Sequence, residues 1–383
     1  MLYWVTMRIA IDVSSAFGGP SGAGFYVSEL TAALARAGGH ELVLTSASWS
    51  ADEQWAAARL PEGPGVSRVT LKVPQRLLLP AEHYAGLRWR ERKYAALGVD
   101  VYFGPGNTLP PLGRMPGVVT VHHVGGELPG GAWPAFYFGS LTPSSARRAD
   151  RVIAVSDHTR REILAAWDLD PAKVVRVHEG GPGPEFRPLR SGDAEAPVDA
   201  PFILHVGALF KRKNVPNLLK AYALLLGRNP RLPHALVLAG RDGDASAEIE
   251  TALALPPLRD RVVRLGGVPR EDLVALYRRA SVLAYPSLLE GFGFPLLEAM
   301  ACGTPVVAAD AASLPEIGGD AALLCDAEKP EAIADALERA LDPETAAALR
   351  ARGPARAASF SWDKAARETI AVLASAREDA RKS

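Results

Sequence analysis

Two successive series of short apolar runs, each followed by a stretch with helical spacing, occupy nearly all of this 383-residue chain. That alternation is the pattern of a parallel sheet covered by helices on both faces. The first series reads as a strand at 8–13, a helix at 24–37, strands at 118–122 and 151–155, and a helix at 159–167. The second opens with Phe202-Ile-Leu-His-Val206, runs through a helix at 215–226, and continues with strands at 235–239, 262–265, 281–285, 305–308 and 321–324. A chain of this length exceeds one ordinary core and suggests two domains. Between the series, Gly180-Gly-Pro-Gly-Pro and the Pro-rich polar stretch after it break the pattern. The expected layout is an N-terminal domain at 1–185, a linker at 186–200, a second domain at 201–361 and a final helix at 362–383.

Charge balances, with 43 basic and 43 acidic residues, so no global field attracts nucleic acid. Cys302 and Cys325 are the only cysteines and have no metal-ligand spacing, which implies reduced thiols, a cytoplasmic location and no structural zinc. No apolar run reaches the roughly 18 residues of a membrane span. Residues 1–6 read as a start-site extension ahead of the first strand.

The segment Glu290-Gly-Phe-Gly-Phe-Pro-Leu-Leu-Glu298 sets two carboxylates either side of a glycine turn, where a strand gives way to a helix opened by Pro295. Glu290 is expected in the loop and Glu298 about one turn into the helix. A helix N-terminus favours an anion, and Gly291 and Gly293 let the backbone approach it. A glycosidase would also use paired acids. Here the acids share a segment with a helix start between them, and the cations Arg212 and Lys213 follow the first strand of the second series. That combination suits a diphosphate better than an attacking water.

With these residues stand Gly22-Ala-Gly24-Phe-Tyr26, Thr120-Val-His122-His123, the stretch 148–161, Val206-Gly-Ala-Leu-Phe-Lys-Arg-Lys-Asn214 and Glu298-Ala-Met-Ala-Cys-Gly-Thr-Pro-Val-Val307. In this order and spacing the set resembles glycosyltransferase family 4, the retaining, nucleotide-sugar-dependent enzymes of the GT-B fold. The resemblance implies an α/β architecture of two doubly wound Rossmann-like domains facing a central cleft, with the last helix packing back on the first domain. It implies catalytic roles for His122, Glu290, Arg212 and Lys213. Arg212 and Lys213 would stabilise the leaving diphosphate, and Glu290 would hold the donor sugar near its C3 hydroxyl. Donor binding would fall to Gly22, Gly24, Val268, Gly291, Phe292, Gly293, Phe294 and Glu298, the last accepting ribose hydroxyls. The family places an acidic residue after the histidine, whereas this chain has His123.

The resemblance thus points to a metal-independent transferase of polysaccharide biosynthesis that needs no cofactor beyond its nucleotide-sugar co-substrate. GDP-mannose is favoured as donor over UDP-glucose, UDP-N-acetylglucosamine or a deoxysugar nucleotide; the acceptor is a glycan, glycolipid or small glycoside. Blander readings exist for each part: a solvated basic loop for Arg212 and Lys213, a helix-dipole acid for Glu298, an ordinary turn for Gly22 and Gly24. At the level of the whole protein, a nucleotide-sugar 2-epimerase or a non-catalytic sugar-nucleotide-binding subunit has the same architecture.

One further stretch stands apart. Between Lys72 and Lys93, the basic residues Lys72, Arg76, Arg88, Arg90, Arg92 and Lys93 outnumber Glu82 and Glu91, with Leu77, Tyr84, Leu87 and Trp89 among them. Such a mixture can rest on the anionic inner face of a membrane, and equally can be a helix with a buried stripe and a solvated basic face.

Overall fold

The computed structural model describes residues 6–17, 21–49, 55, 58, 60–125, 132–199, 201–254 and 256–382. Apart from Thr6, the extension read at 1–6 lies outside the described residues. The chain forms two compact units, one made of Met1–Gly180 and Ser361–Ser383, the other of Gly181–Phe360.

Among the described residues, the first unit holds a seven-stranded sheet: β1 (Arg8–Asp12), β2 (Glu41–Ala47), β3 (Val66–Leu71), β4 (Val101–Gly104), β5 (Gly117–Val121), β6 (Arg151–Ala154) and β7 (Val174–Arg176). Its order is β3-β2-β1-β4-β5-β6-β7 with every pair parallel. Central strands are mostly apolar because helices cover both faces; Ile9, Ala10 and Ile11 of β1 are all fully buried. Helix α1 (Gly22–Ala37) is capped by Ser21, whose side chain accepts from the Gly24 amide, so Gly22 and Gly24 lie in its first turn. Helices α2 (Gln75–Ala85) and α3 (Trp89–Ala96) follow β3.

The helix Trp362–Lys382 belongs to this first unit. Trp362 packs on Phe25 and Tyr26 of α1, both with ring centroids 5.9 Å away. Arg377 pairs with Asp100 at 2.7 Å, and Asp379 pairs with Arg151.

The second unit repeats the plan with β8 (Phe202–Val206), β9 (Ala235–Ala239), β10 (Val262–Gly266), β11 (Val282–Tyr285), β12 (Val306–Ala309) and β13 (Leu323–Cys325), again all parallel, in the order β10-β9-β8-β11-β12-β13. Helices α4 (Val215–Arg228), α5 (Arg270–Arg279), α6 (Phe294–Ala301) and α7 (Leu314–Gly318) are the ones that matter for the site. The stretch 186–199 packs on this unit: Asp193 takes both guanidinium arms of Arg187 at 2.7 and 2.9 Å and pairs with Arg278 at 3.1 Å. Strand order reverses between β8 and β11, and the carboxyl ends at such a switch point are where open α/β sheets bind ligands.

Candidate functional site

The loops after β8 and β11 build one polar cluster. After β8 the chain turns at Gly207 (φ 142°) and reaches a short 3-10 turn, Lys211–Lys213, ahead of α4. A Cβ on Gly207 would lie 3.3 Å from Lys213 Cε, and one on Gly240 would lie 1.9 Å from the Gly207 carbonyl oxygen. Two strand ends thus approach with no room for side chains, and the Lys213 stem runs over the gap. The amide of Leu288 donates to the Arg212 carbonyl at 2.8 Å, tying the two loops together.

Four groups converge on one carboxylate oxygen, Glu290 Oε1. Lys213 Nζ is 2.5 Å away, Ser287 Oγ 2.6 Å, Tyr285 OH 2.8 Å and Arg212 Nη1 3.6 Å. Lys213 Nζ also donates to Tyr285 OH at 2.6 Å, so the phenol relays between cation and anion. Lys213 is only 7% exposed. Burial alone would push the Glu290 carboxyl up, but Lys213 first, then Arg212 and Ser287, hold it below its ordinary range. Burial, and then Glu290, keep the Tyr285 phenol protonated and able to donate. Beneath it lies His205, fully buried, its ring stacked 6.1 Å from Tyr285 and its Nδ1 donating to the Ala284 carbonyl. Burial pulls His205 down to about 4, so it stays neutral next to the cations.

The glycine loop leads into α6. Gly293 caps that helix at φ 109°, and a Cβ there would sit 2.9 Å from Leu314 Cδ2, so a side chain is excluded twice over. Phe292 is buried against Phe294, centroids 5.5 Å apart. Glu298 lies one turn into α6 and accepts from Tyr277 OH at 2.8 Å. Burial raises its pKa, and the Tyr277 hydrogen bond opposes the rise.

Of the residues singled out by sequence, the structure brings Arg212, Lys213 and Glu290 together and puts Gly291–Phe294 and Glu298 on the same loop and helix. Lys211 turns to Glu248, 3.4 Å away, and takes no part in the cluster. Val268 lies in the loop after edge strand β10, two strands from β8. Sequence reasoning did not single out Tyr285, Ser287, Tyr277 or His205; the available signal was that Tyr285 and Ser287 sit at a strand end just ahead of Glu290.

In the first unit, His122 follows β5 and is 9% exposed. Its Nε2 faces the Pro105 carbonyl at 2.9 Å and must therefore carry a proton and donate. Its Nδ1 meets Glu179 Oε1 at 2.9 Å, a carboxyl whose pKa burial raises. The ring is thus held from both sides, as is the main chain, whose amide donates to Asn107 Oδ1. His123 is half-buried and stacks on Phe138 at 4.9 Å. Among the described residues, no group of three or more His, Cys, Asp or Glu is placed to hold a metal ion.

Two family descriptions match the chain, Glycosyltransferase Family 4 over residues 20–180 and Glycosyl transferases group 1 over residues 188–356. The chain belongs to glycosyltransferase family 4. A D-inositol 3-phosphate glycosyltransferase of Streptomyces griseus is 36% identical to this family 4 chain over 261 residues, 61% of this chain and 55% of that protein. O-antigen chain mannosyltransferase B of Escherichia coli is 34% identical over 243 residues, 61% of this chain and 63% of that protein. The chain therefore spans less than two thirds of the length of these relatives. In fold, it resembles sucrose-phosphate synthase from Thermosynechococcus elongatus (TM-score 0.72, 22% identity, 95% and 97% of the two chains). It also resembles Anabaena HepE, solved in complex with UDP and glucose (TM-score 0.70, 18% identity, 96% and 100%).

Proposed function

We propose that this protein is a hexosyltransferase that moves a sugar from a nucleoside diphosphate to an acceptor hydroxyl with the anomeric configuration retained. The observation that carries the reading is the convergence of Lys213, Arg212, Tyr285 and Ser287 on Glu290 at a sheet switch point, beside the N-terminus of α6. Two cations there suit a diphosphate, and a carboxylate suits the hydroxyls of the attached sugar. Glu298, held by Tyr277, is assigned the ribose diol. As the bond from the anomeric carbon to the phosphate oxygen breaks, its electron pair stays on that oxygen, and Arg212 and Lys213 offset the new charge. The acceptor oxygen bonds the same face of the anomeric carbon and passes its proton to the departing phosphate. His122, engaged at both ring nitrogens, is assigned an orienting role toward the sugar rather than that of a base.

GDP-mannose is the preferred donor, a choice supported by the mannosyltransferase among the relatives, while UDP-glucose is the competitor suggested by the fold neighbours. The acceptor is proposed to be a glycan or glycolipid. A peripheral membrane contact through α2 and α3 is part of the same reading. Leu77, Tyr84 and Leu87 are 64%, 74% and 46% exposed there, alongside exposed Arg76, Arg88, Arg92 and Lys93. No described helix is long and apolar enough to cross a membrane.

The test is incubation with GDP-mannose, UDP-glucose and UDP-N-acetylglucosamine in the presence of cell extract, with the product linkage read by NMR. Transfer with the donor's anomeric configuration kept is expected. An inverted product, or free UDP with an epimerised sugar and no acceptor, would contradict the reading.

A further inference from the structure

The glycine loop that carries Glu290 is held from below by a second segment. Ser313 is fully buried, and its Oγ lies 3.0 Å from the Glu290 carbonyl oxygen and 2.9 Å from that of Phe292, one proton shared between two acceptors. Both carbonyls are drawn toward Ser313, so the peptide planes that follow them turn their N–H vectors to the opposite side of the loop. The next residue, Leu314, meets the position a Gly293 side chain would occupy. Ahead of it, Ala312 adopts φ 53°, a left-handed conformation that costs energy in a non-glycine residue. No side-chain function of Ala312 explains that strain. What the turn achieves is to bring the Ser313 hydroxyl under the loop.

We infer that Ser313 is a positioning residue for the donor site: its hydroxyl fixes the Glu290–Gly293 backbone, and through it the Glu290 carboxylate opposite Lys213, before any ligand arrives. This rests on the donor-site reading given above, and deepens it by adding a residue that touches no ligand. A loop fixed in advance loses less freedom on binding, so the hydroxyl should appear as affinity for the part of the ligand the loop meets. That part is the diphosphate and sugar, not the nucleoside.

The test uses Ser313→Ala in the full chain, with Ser313→Cys, which keeps the volume but has only a weak donor, should the alanine variant not fold. Two readouts are taken. Amide hydrogen exchange should quicken by roughly tenfold across 290–294 and stay unchanged in α4, since losing shared hydrogen bonds of this kind costs about a factor of ten. Calorimetry should show GDP or UDP binding weakened by about the same factor, with GMP or UMP binding unchanged. Ser313→Thr, which keeps the hydroxyl, should restore both. Unchanged exchange in the loop overturns the inference whatever the ligand does; equal losses for diphosphate and monophosphate overturn it too, as a merely structural role would give them. If the wild type binds none of the nucleotides, the donor-site reading fails, while loop exchange still decides the role of Ser313.

Discussion

Lys213 Nζ lies 2.5 Å from Glu290 Oε1 in the second unit, a nearly buried ion pair joining the loop after β8 to the loop after β11. Removing one partner of such a pair leaves the other charge stranded. Lys213→Ala is expected to cost about 3 kcal/mol of stability and roughly a hundredfold in transfer rate. The sign of its pH effect follows from Glu290, whose folded pKa is depressed. That depression stabilises the fold above the ordinary carboxylate value and is lost as pH falls through the folded value. Without Lys213 the depression shrinks, so acid denaturation of the variant should begin at higher pH. Thermal melts across acid pH, paired with turnover, check both; an unshifted acid midpoint contradicts the pairing.

Tyr277→Phe addresses the other carboxylate. Burial raises Glu298 above 4.5, and Tyr277 restrains the rise. If ionised Glu298 accepts the ribose hydroxyls, nucleotide affinity is present above its folded pKa and falls as pH drops through it. The phenylalanine variant should move that fall to higher pH, measured by calorimetry with GDP or UDP across the acid and neutral range. An identical pH profile would remove Glu298 from the nucleotide site.

The basic stretch of α2 and α3 separates into two kinds of arginine. Arg90 is 2% exposed and grips Glu82 through both arms, with Nε to Oε1 at 2.7 Å, while its Nη1 lies 3.6 Å from Asp12. It is therefore removed from the surface set proposed for a membrane. Replacing Arg88 and Arg92 together should abolish flotation with anionic vesicles at low salt and leave stability within about 0.5 kcal/mol. Arg90→Ala should instead cost about 3–5 kcal/mol, because it strands Glu82 and Asp12. No flotation of the wild type at low salt favours a soluble acceptor.

Much of the fold was legible because parallel strands buried on both faces read as apolar runs, and β8 and β11 lie where those runs do. Glu290, Glu298, Arg212 and Lys213 were legible because charged residues next to a glycine turn stand out against apolar neighbours. Tyr285, Ser287 and Ser313 were not, since each is an ordinary polar residue whose role exists only once distant loops meet at Glu290. Arg90 was grouped with Arg88 and Arg92 by charge alone. Helix geometry already argued otherwise: residues two apart point to opposite faces, whereas residues four apart share one. His122 fell between these cases; its place after β5 was readable, but its engagement by Glu179 and Pro105, 57 and 17 residues away, was not.

Chelation gives a further check. Positive charge at the leaving group is assigned to Arg212 and Lys213, so transfer should persist in EDTA at close to its untreated rate. Activity restored only by Mg²⁺ or Mn²⁺ would shift that role to an ion.

The most direct test of the account is the difference in affinity between GDP and GMP, or UDP and UMP, measured in the wild type and in Lys213→Gln. The second phosphate should tighten binding by at least about tenfold in the wild type, and the substitution should erase most of that gain while leaving monophosphate affinity unchanged. Equal affinity for the diphosphate and monophosphate in the wild type, or a diphosphate preference that survives in Lys213→Gln, would contradict it.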